Sequence, residues 1–293
     1  KDAEFPVIGK SVKSKLASVP DCQGIVKKAI VDKMKQTYNI QSAWLEETGS
    51  MYRVEVAILK DVVTLTIDAS GSGLHKRGYR VGQGGAPIKE TLAAALVLLT
   101  NWRADKPFVD PFCGSGTIPI EAALIGQNIA PGFNRDFASE DWSWMSKEVW
   151  DKARQEVEDL ANYDQELDIA GHDIDHRMIQ IAKDNAFEAG LGELIDFKQM
   201  QVRDFTTRKE YGVIVGNPPY GERLGDKPAV EQMYREMGEA FRPLDTWSVY
   251  MLTSHEGFEE HYGKKATKKR KLFNGFIKTD YYQYWGKRPP KNN

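Results

Sequence analysis

Residues 216–223 read Gly-Asn-Pro-Pro-Tyr-Gly-Glu-Arg. Here an amide (Asn217), the backbone carbonyl of Pro218 and an aromatic ring (Tyr220) share one rigid turn. That trio suits a flat nucleophile bearing an NH2 group. The preceding stretch, residues 211–215, is mostly apolar and predicts a short buried strand. The strand must stop at the two prolines, because neither has an N–H for a ladder. Asn217, Pro218 and Tyr220 therefore sit at the carboxyl end of a strand, where open α/β sheets place their ligands.

A second group follows another predicted strand end. Asp110-Pro111-Phe112-Cys113-Gly114-Ser115-Gly116-Thr117 lies between Phe108-Val109-Asp110 and a helix predicted from Thr117 to Ile125. Gly114 and Gly116 permit a backbone loop to approach a ligand closely. The spacing fits neither common nucleotide loop. Pro119 stands where GxGxxG wants its third glycine, and Gly9-Lys10-Ser11 has Glu4 where a phosphate loop wants its first. A bare Gly-Ser-Gly also fits a tight turn that binds nothing; the whole octapeptide running on to Ile120-Glu121 is more specific. Acids at later strand ends extend the group. Asp173 is placed to accept from ribose hydroxyls, with Asp175 as its rival or as the cap of the next helix. Asp204 follows the next strand and is placed to accept from an adenine amine, although a surface turn acid has the same signature.

Strands alternating with helices must position these groups. Pro87 suits the first turn of a helix through Leu99. After Asp173 come a helix over His176–Ala189, a strand over Leu194–Lys198 and the strand before Asn217. A helix over Val230–Phe241, a strand over Ser248–Leu252 and a last strand over Phe276–Tyr284 follow. This order predicts an α/β fold with a mostly parallel, doubly wound sheet over residues 87–293. Asp110 and Asp173 are 63 residues apart, where a compact unit needs about 20. An insertion is thus expected near residues 127–167. Its Trp142, Trp144 and Trp150 fit a core under a lid or a base-stacking surface, with packing favoured for most of them.

Residues 1–70 predict a small α+β domain. Val26, Ile30 and Met34 mark one face of a helix over Gln23–Tyr38. Alternation predicts strands through Tyr52–Ile58 and around Val63, Leu65 and Ile67, joined by a Lys60-Asp61 turn. Residues 71–86 are rich in glycine and basic side chains and read as a linker.

A chain of 293 residues has room for one large domain and a smaller one. The longest apolar run, around Leu92–Leu99, is far too short to span a bilayer. The first residues include no initiator Met and no apolar signal region, so a fragment or processed chain is expected. Two cysteines, Cys22 and Cys113, build no disulfide framework, which predicts a reducing, cytoplasmic setting. Five scattered histidines without a CxxC or HxxxH pair predict no metal site. The net charge of −2 is unevenly spread: +4 over residues 1–80, −15 over 81–263 and +9 over 264–293. The run Lys264–Lys271 alone fits a solvated loop equally well. Together with the basic first segment it predicts a phosphate-binding footprint.

These motifs resemble those of the THUMP-domain class I RNA guanine-N2 methyltransferases, the family of the large-subunit ribosomal RNA methyltransferases. The resemblance covers essentially the whole chain. Asp110–Glu121 resembles the family's cofactor loop and Asn217–Gly225 its catalytic turn. Residues 73–80 resemble the segment leaving the THUMP domain, and residues 9–14 and 27–30 resemble pieces of that domain. The family carries more residues before this point, so the first domain reads as a partial THUMP. The resemblance implies a Rossmann-like methyltransferase fold, S-adenosylmethionine as cofactor and RNA, ribosomal RNA above all, as partner. Asp110, Phe112, Cys113, Gly114, Ser115, Gly116 and Thr117 would hold the methionine part, Asp173 the ribose and Asp204 the adenine. Asn217 and the Pro218 carbonyl would accept from the guanine amine, and Tyr220 would stack on the base. Lys10, Lys13, Lys27, Lys28, Arg77, Arg80, Lys264, Lys265, Lys268 and Lys269 would contact RNA.

Asn-Pro-Pro-Tyr is shared with DNA adenine-N6 methyltransferases and with glutamine methyltransferases that act on release factors. The basic first domain argues against a protein substrate, and the lack of an obvious target-recognition domain argues against sequence-specific DNA. A non-catalytic RNA-binding protein retaining the fold is the reading from another class; the intact loop and turn argue against it.

Overall fold

One helix start, the end of that helix and one tight turn organise the first part of the chain. Pro20 pre-sets the first turn of α1 (Val19–Tyr38), which therefore begins four residues before the sequence-based start at Gln23. Asn39 ends it in the left-handed region at φ 53°. Lys60 and Asp61, at φ 51° and 64°, make the two-residue turn whose twist matches a hairpin. The Asp61 carboxylate accepts from Ser14 Oγ and Lys15 N at 2.7 Å each, and these bonds hold its pKa below the usual range.

The computed structural model describes residues 1–82, 87–220 and 227–290, in two compact units. The first comprises residues 1–74 together with 135–156. Its sheet is ordered β1 (Val7–Val12), β2 (Arg53–Leu59), β3 (Val62–Asp68), with β1 parallel and β3 antiparallel to β2. Helix α1 seats on β1 at Gly9, where a Cβ would come within 3.0 Å of Val19 and Gln23. Trp142 stacks on Tyr52 at 4.9 Å and donates its Nε1–H to the Met51 carbonyl, so this tryptophan packs a core. Trp150 stacks on Phe137, whereas Trp144 is 67% exposed.

The second unit comprises residues 75–134 and 157 onward. Its elements begin with α2 (Glu90–Leu98), β4 (Phe108–Asp110) and α3 (Thr117–Gly126). Helix α4 (Lys147–Leu160) starts in the first unit and ends in the second. Then come β5 (Ile169–Asp173), α5 (His176–Glu188), β6 (Ile195–Gln199), β7 (Val213–Gly216) and α6 (Lys227–Phe241). The chain closes with β8 (Ser248–Thr253), α7 (Phe258–Tyr262), β9 (Lys268–Asn274) and β10 (Ile277–Tyr284).

The seven strands are ordered β6-β5-β4-β7-β8-β10-β9, and β10 alone runs opposite to the other six. The fold is a doubly wound, mostly parallel sheet. Strands β4, β7 and β8 are buried along their whole length, as expected of parallel strands covered on both faces. From β4 the chain winds outward one way through β5 and β6, and from β7 the other way. The topological switch point thus lies between β4 and β7, and Asp110 and Asn217 stand at its two sides.

Strand β9 corrects the expectation of a lysine-rich loop. Lys268, Lys269, Arg270 and Lys271 lie on an edge strand, joined to β10 by a turn at Gly275 with φ 63°. Lysines on an edge strand deter pairing with a further chain. Among the described residues no helix is long and apolar enough to cross a membrane.

Candidate active site

At the switch point a cavity of about 360 Å³ opens between the carboxyl ends of the strands. Asp110, Phe112, Cys113, Gly114, Ser115 and Thr117 line it from the β4–α3 loop, Asp173 from the end of β5, and Asn217, Pro218 and Pro219 from the turn after β7. Two groups far apart in the sequence thereby share one chamber. Residues 221–226 of the expected catalytic turn lie outside the described residues.

Backbone amides fix the acids. Asp110, 1% exposed, accepts through Oδ1 from Phe112 N at 2.9 Å. Its Oδ2 is buried and has no partner in the protein. Asp173 accepts from Gly114 N at 3.0 Å and from Asp175 N at 2.9 Å. Burial pushes both carboxyl pKa values up, for Asp110 well above the usual range and with a further push from Asp173. Asp175 caps α5 through Arg177 N, and of the two acids only Asp173 lines the cavity. Burial and the same two acids, Asp110 and Asp173, raise the Cys113 thiol pKa well above normal, which disfavours its thiolate.

The two loop glycines have different roles. Gly114, at φ 52°, lines the cavity, and a Cβ there would meet open space. Gly116, at φ 83°, is not part of the lining. A Cβ on it would come within 3.0 Å of Ala182 and 3.1 Å of Phe197, so this glycine lets the loop pack on α5 and β6. The spacing alone assigns both to the ligand; for Gly116 the close approach is to the core.

Two further expected site residues lie off the cavity. Asp204 ends a single 3-10 turn (Val202–Asp204), with its side chain 63% exposed beside Arg203. Met200, Gln201 and Val202 line the corresponding wall instead. The Tyr220 ring is 4% exposed and its hydroxyl accepts from Asn274 Nδ2 at 2.8 Å, so it packs the turn from behind. The Pro219 carbonyl accepts from the Tyr234 hydroxyl at 3.4 Å. Asn217 Oδ1 is buried and unpartnered. The sequence reading missed Met233 and Glu236, which reach the cavity from α6 at helical spacing i, i+3.

Several expected RNA-contacting side chains are committed elsewhere. Lys27 pairs with Glu47, donates to the Phe5 carbonyl and lies 3.6 Å above the Phe5 ring. Lys10 pairs with Glu55 and Lys28 with Asp32, both at 2.6 Å and both on the surface. Lys13 is exposed, at φ 51°. Arg77 reaches buried Glu121 at 3.4 Å. Arg80 pairs with Glu90 at 2.7 Å and donates to Ser115 Oγ, Thr117 Oγ1 and the Ile88 carbonyl. Arg80 thus buttresses the Asp110–Thr117 loop, and residues 75–82 pack into the second unit rather than hang free. Residues 83–86 of the expected linker lie outside the described residues. Lys264, Lys265 and Lys268 are exposed, while Lys269 pairs with Glu259 at 2.9 Å.

The lining includes Asp110, Asp173 and Glu236 and, among the described residues, no Lys, Arg or His. An acidic, half-apolar chamber rejects phosphate-rich cofactors and suits a cation with an apolar body. S-adenosylmethionine carries both a sulfonium and an ammonium, and the orphaned Asp110 Oδ2 offers an acceptor for such a donor. The residues present therefore fit that group.

Residues 77–283 match the family described as RMKL-like, methyltransferase domain, and residues 1–68 match the THUMP domain. The chain belongs to this family of S-adenosylmethionine-dependent methyltransferases. It is 75% identical over 290 residues to a Bacillus subtilis (strain 168) protein named "Putative RNA methyltransferase YpsC", covering 99% of this chain and 75% of the relative. It is 37% identical over 265 residues to the "Ribosomal RNA large subunit methyltransferase K/L" of Shewanella baltica (strain OS185), covering 88% of this chain and 37% of that protein's length. A solved structure, "Crystal structure of SMU.472, a putative methyltransferase complexed with SAH", superposes with a TM-score of 0.92 at 52% identity, covering 99% of this chain and 76% of that one.

Proposed function

We propose that this chain transfers the methyl group of S-adenosylmethionine to an exocyclic amine of an RNA base, and that the amine is N2 of a guanine. The observation that carries the reading is Asn217 Oδ1, a buried acceptor without a protein partner on a residue that lines the same cavity as Asp110. A buried acceptor left unpaired is costly unless a ligand donates to it. The THUMP match and the names of the relatives support RNA as the substrate.

A purine amine is a weak nucleophile, because its lone pair is delocalised into the ring. Asn217 Oδ1 and the Pro218 carbonyl accept its two hydrogens and favour a tetrahedral nitrogen with a directed lone pair. That interaction strengthens toward the transition state, so it raises the rate of chemistry as well as binding. Bound S-adenosylmethionine supplies the methyl as a sulfonium electrophile. Asp110 would orient the cation and Asp173 hold the ribose from the far side of the switch point, and proximity does the rest. No side chain needs to act as a strong base, since the alkylated nitrogen is acidic enough to lose its proton to water. Tyr220 and Tyr234 brace the turn from behind. A base in structured RNA reaches this turn only when splayed from its stack.

The test incubates the purified chain with methyl-labelled donor and ribosomal RNA from a strain lacking the enzyme, then separates the nucleosides. Label in N2-methylguanosine is the expected result. Label in N6-methyladenosine would replace guanine by adenine as the target, and label in DNA offered in parallel would replace RNA as the substrate.

A further inference from the structure

Outside the cavity lining, the second unit gathers Glu231 from α6, His255 from the loop after β8 and His261 from α7. One ligand-capable atom from each lies within 4.8 Å of the other two. Glu231 Oε1 and His261 Nε2 are 3.5 Å apart, and the two imidazole rings are 5.7 Å apart at 69°. Both ring nitrogens of His255 are buried and have no hydrogen-bond partner. An imidazole buried without any partner is a rare and costly arrangement.

Gly257 keeps the space between the rings open. A Cβ there would come within 3.2 Å of His255 Cε1 and 3.4 Å of His261 Nε2, so a longer side chain would occupy the gap. We propose that Glu231, His255 and His261 bind one divalent transition-metal ion of the zinc type. Two imidazoles and one carboxylate form a recognised donor set for zinc, with a fourth position left for water. Ligands 2.0–2.1 Å from a tetrahedral zinc lie about 3.4 Å apart. The Glu231–His261 pair already has about that separation, and a ligand atom of His255 lies within 4.8 Å of both. Lys227 and Arg235 pair with Glu231 at 4.0 and 3.8 Å, longer than direct hydrogen bonds, so the carboxylate oxygens stay open to a ligand bond.

The ion would join α6, α7 and the loop between β8 and α7. The His255 ring packs edge-on against Tyr234 at 5.4 Å, and the Tyr234 hydroxyl reaches the Pro219 carbonyl. The metal would thus clamp the support behind the 217–220 turn without entering the cofactor cavity. The site escaped the sequence reading because its residues come from three separate elements, with no CxxC or HxxxH spacing to announce them.

The experiment titrates chelator-treated protein with Zn2+ by calorimetry and with Co2+ by visible spectroscopy. One ion per chain is expected, with the ligand-field bands of nitrogen and oxygen donors and no thiolate charge-transfer band. His255→Gln and His261→Gln should each weaken Zn2+ binding by more than the roughly 10–100-fold that loss of an outer-sphere partner costs. Gly257→Val should weaken it too, although no donor is removed. S-adenosylmethionine affinity should hold in His261→Gln, so the result stands apart from the methyltransferase reading. Absence of binding to the wild type, unchanged affinity in both histidine variants, or a thiolate band from Cys22 or Cys113 would overturn the site. Should His255→Gln fail to fold, the wild-type stoichiometry, the Co2+ spectrum and His261→Gln still decide.

Discussion

Arg80 donates to Thr117 Oγ1 at 3.0 Å while its Nε holds Glu90 at 2.7 Å, so one guanidinium ties α2 to the first residue of α3. Ser115 Oγ accepts from the same side chain at 3.1 Å. Only a planar fork with several donors can make these bonds together. Arg80→Lys should therefore weaken S-adenosylmethionine binding by about tenfold, one charge-assisted hydrogen bond being worth roughly 1.5–3 kcal/mol before partial rescue by the ammonium. The salt dependence of RNA binding should stay as in wild type, because Arg80 is only partly accessible and already paired. A flattened salt dependence with intact cofactor affinity would return Arg80 to the RNA surface.

Asp110 links the cofactor site to pH. Burial raises its folded pKa, so its ionisation opposes folding: the Asp110 contribution to stability is most favourable at acid pH and falls as pH rises from the unfolded pKa through the raised folded value. Asp110→Asn should therefore raise Tm at neutral pH, by roughly 2–4 °C for each kcal/mol recovered. The gain should vanish at acid pH, where Asp110 is protonated. Cofactor binding should show the opposite sign. A bound cation favours the carboxylate, so wild-type affinity should rise with pH and binding should release a proton. Calorimetry in buffers of different ionisation enthalpy checks this, and Asp110→Asn should remove most of the proton release along with the affinity.

Much of the second unit was legible in the sequence, because the hydrophobic pattern and the motifs coincide with strand ends. The strand before Asn217, the helix after Asp173 and the helix ending at Phe241 lie within a few residues of their expected bounds. The misses share a cause: partners that are remote in sequence. Arg77 and Arg80 read as basic residues in a glycine-rich stretch, and only Glu121 and Glu90 reveal them as buried ion pairs. Trp142 finds Tyr52 and Met51 some 90 residues upstream. Strand β9 hid behind its lysines, since an edge strand exposed on both sides shows little apolar alternation. Asp204 follows from residue type at a strand end, whereas Met200, Gln201 and Val202 carry that wall.

Lys264, Lys265 and Lys268 are exposed cations at the basic end of the chain. Changing all three to Ala should reduce the slope of log affinity for RNA against log salt by roughly 0.7–0.9 for each phosphate that is no longer neutralised. Adding Lys269→Ala should contribute less, because Glu259 already holds that side chain at 2.9 Å. Salt titration of RNA binding reads the slopes; S-adenosylmethionine binding serves as the control and should not move.

In the proposed mechanism Asn217 acts in the transition state rather than in cofactor binding. The direct measurement is single-turnover methyl transfer by Asn217→Ala beside its calorimetric affinity for S-adenosylmethionine. The expected result is a rate lower by roughly 10²-fold or more, as for loss of one preorganised polar partner, with cofactor affinity near the wild-type value. Equal losses of rate and affinity, or an unimpaired rate, would contradict it.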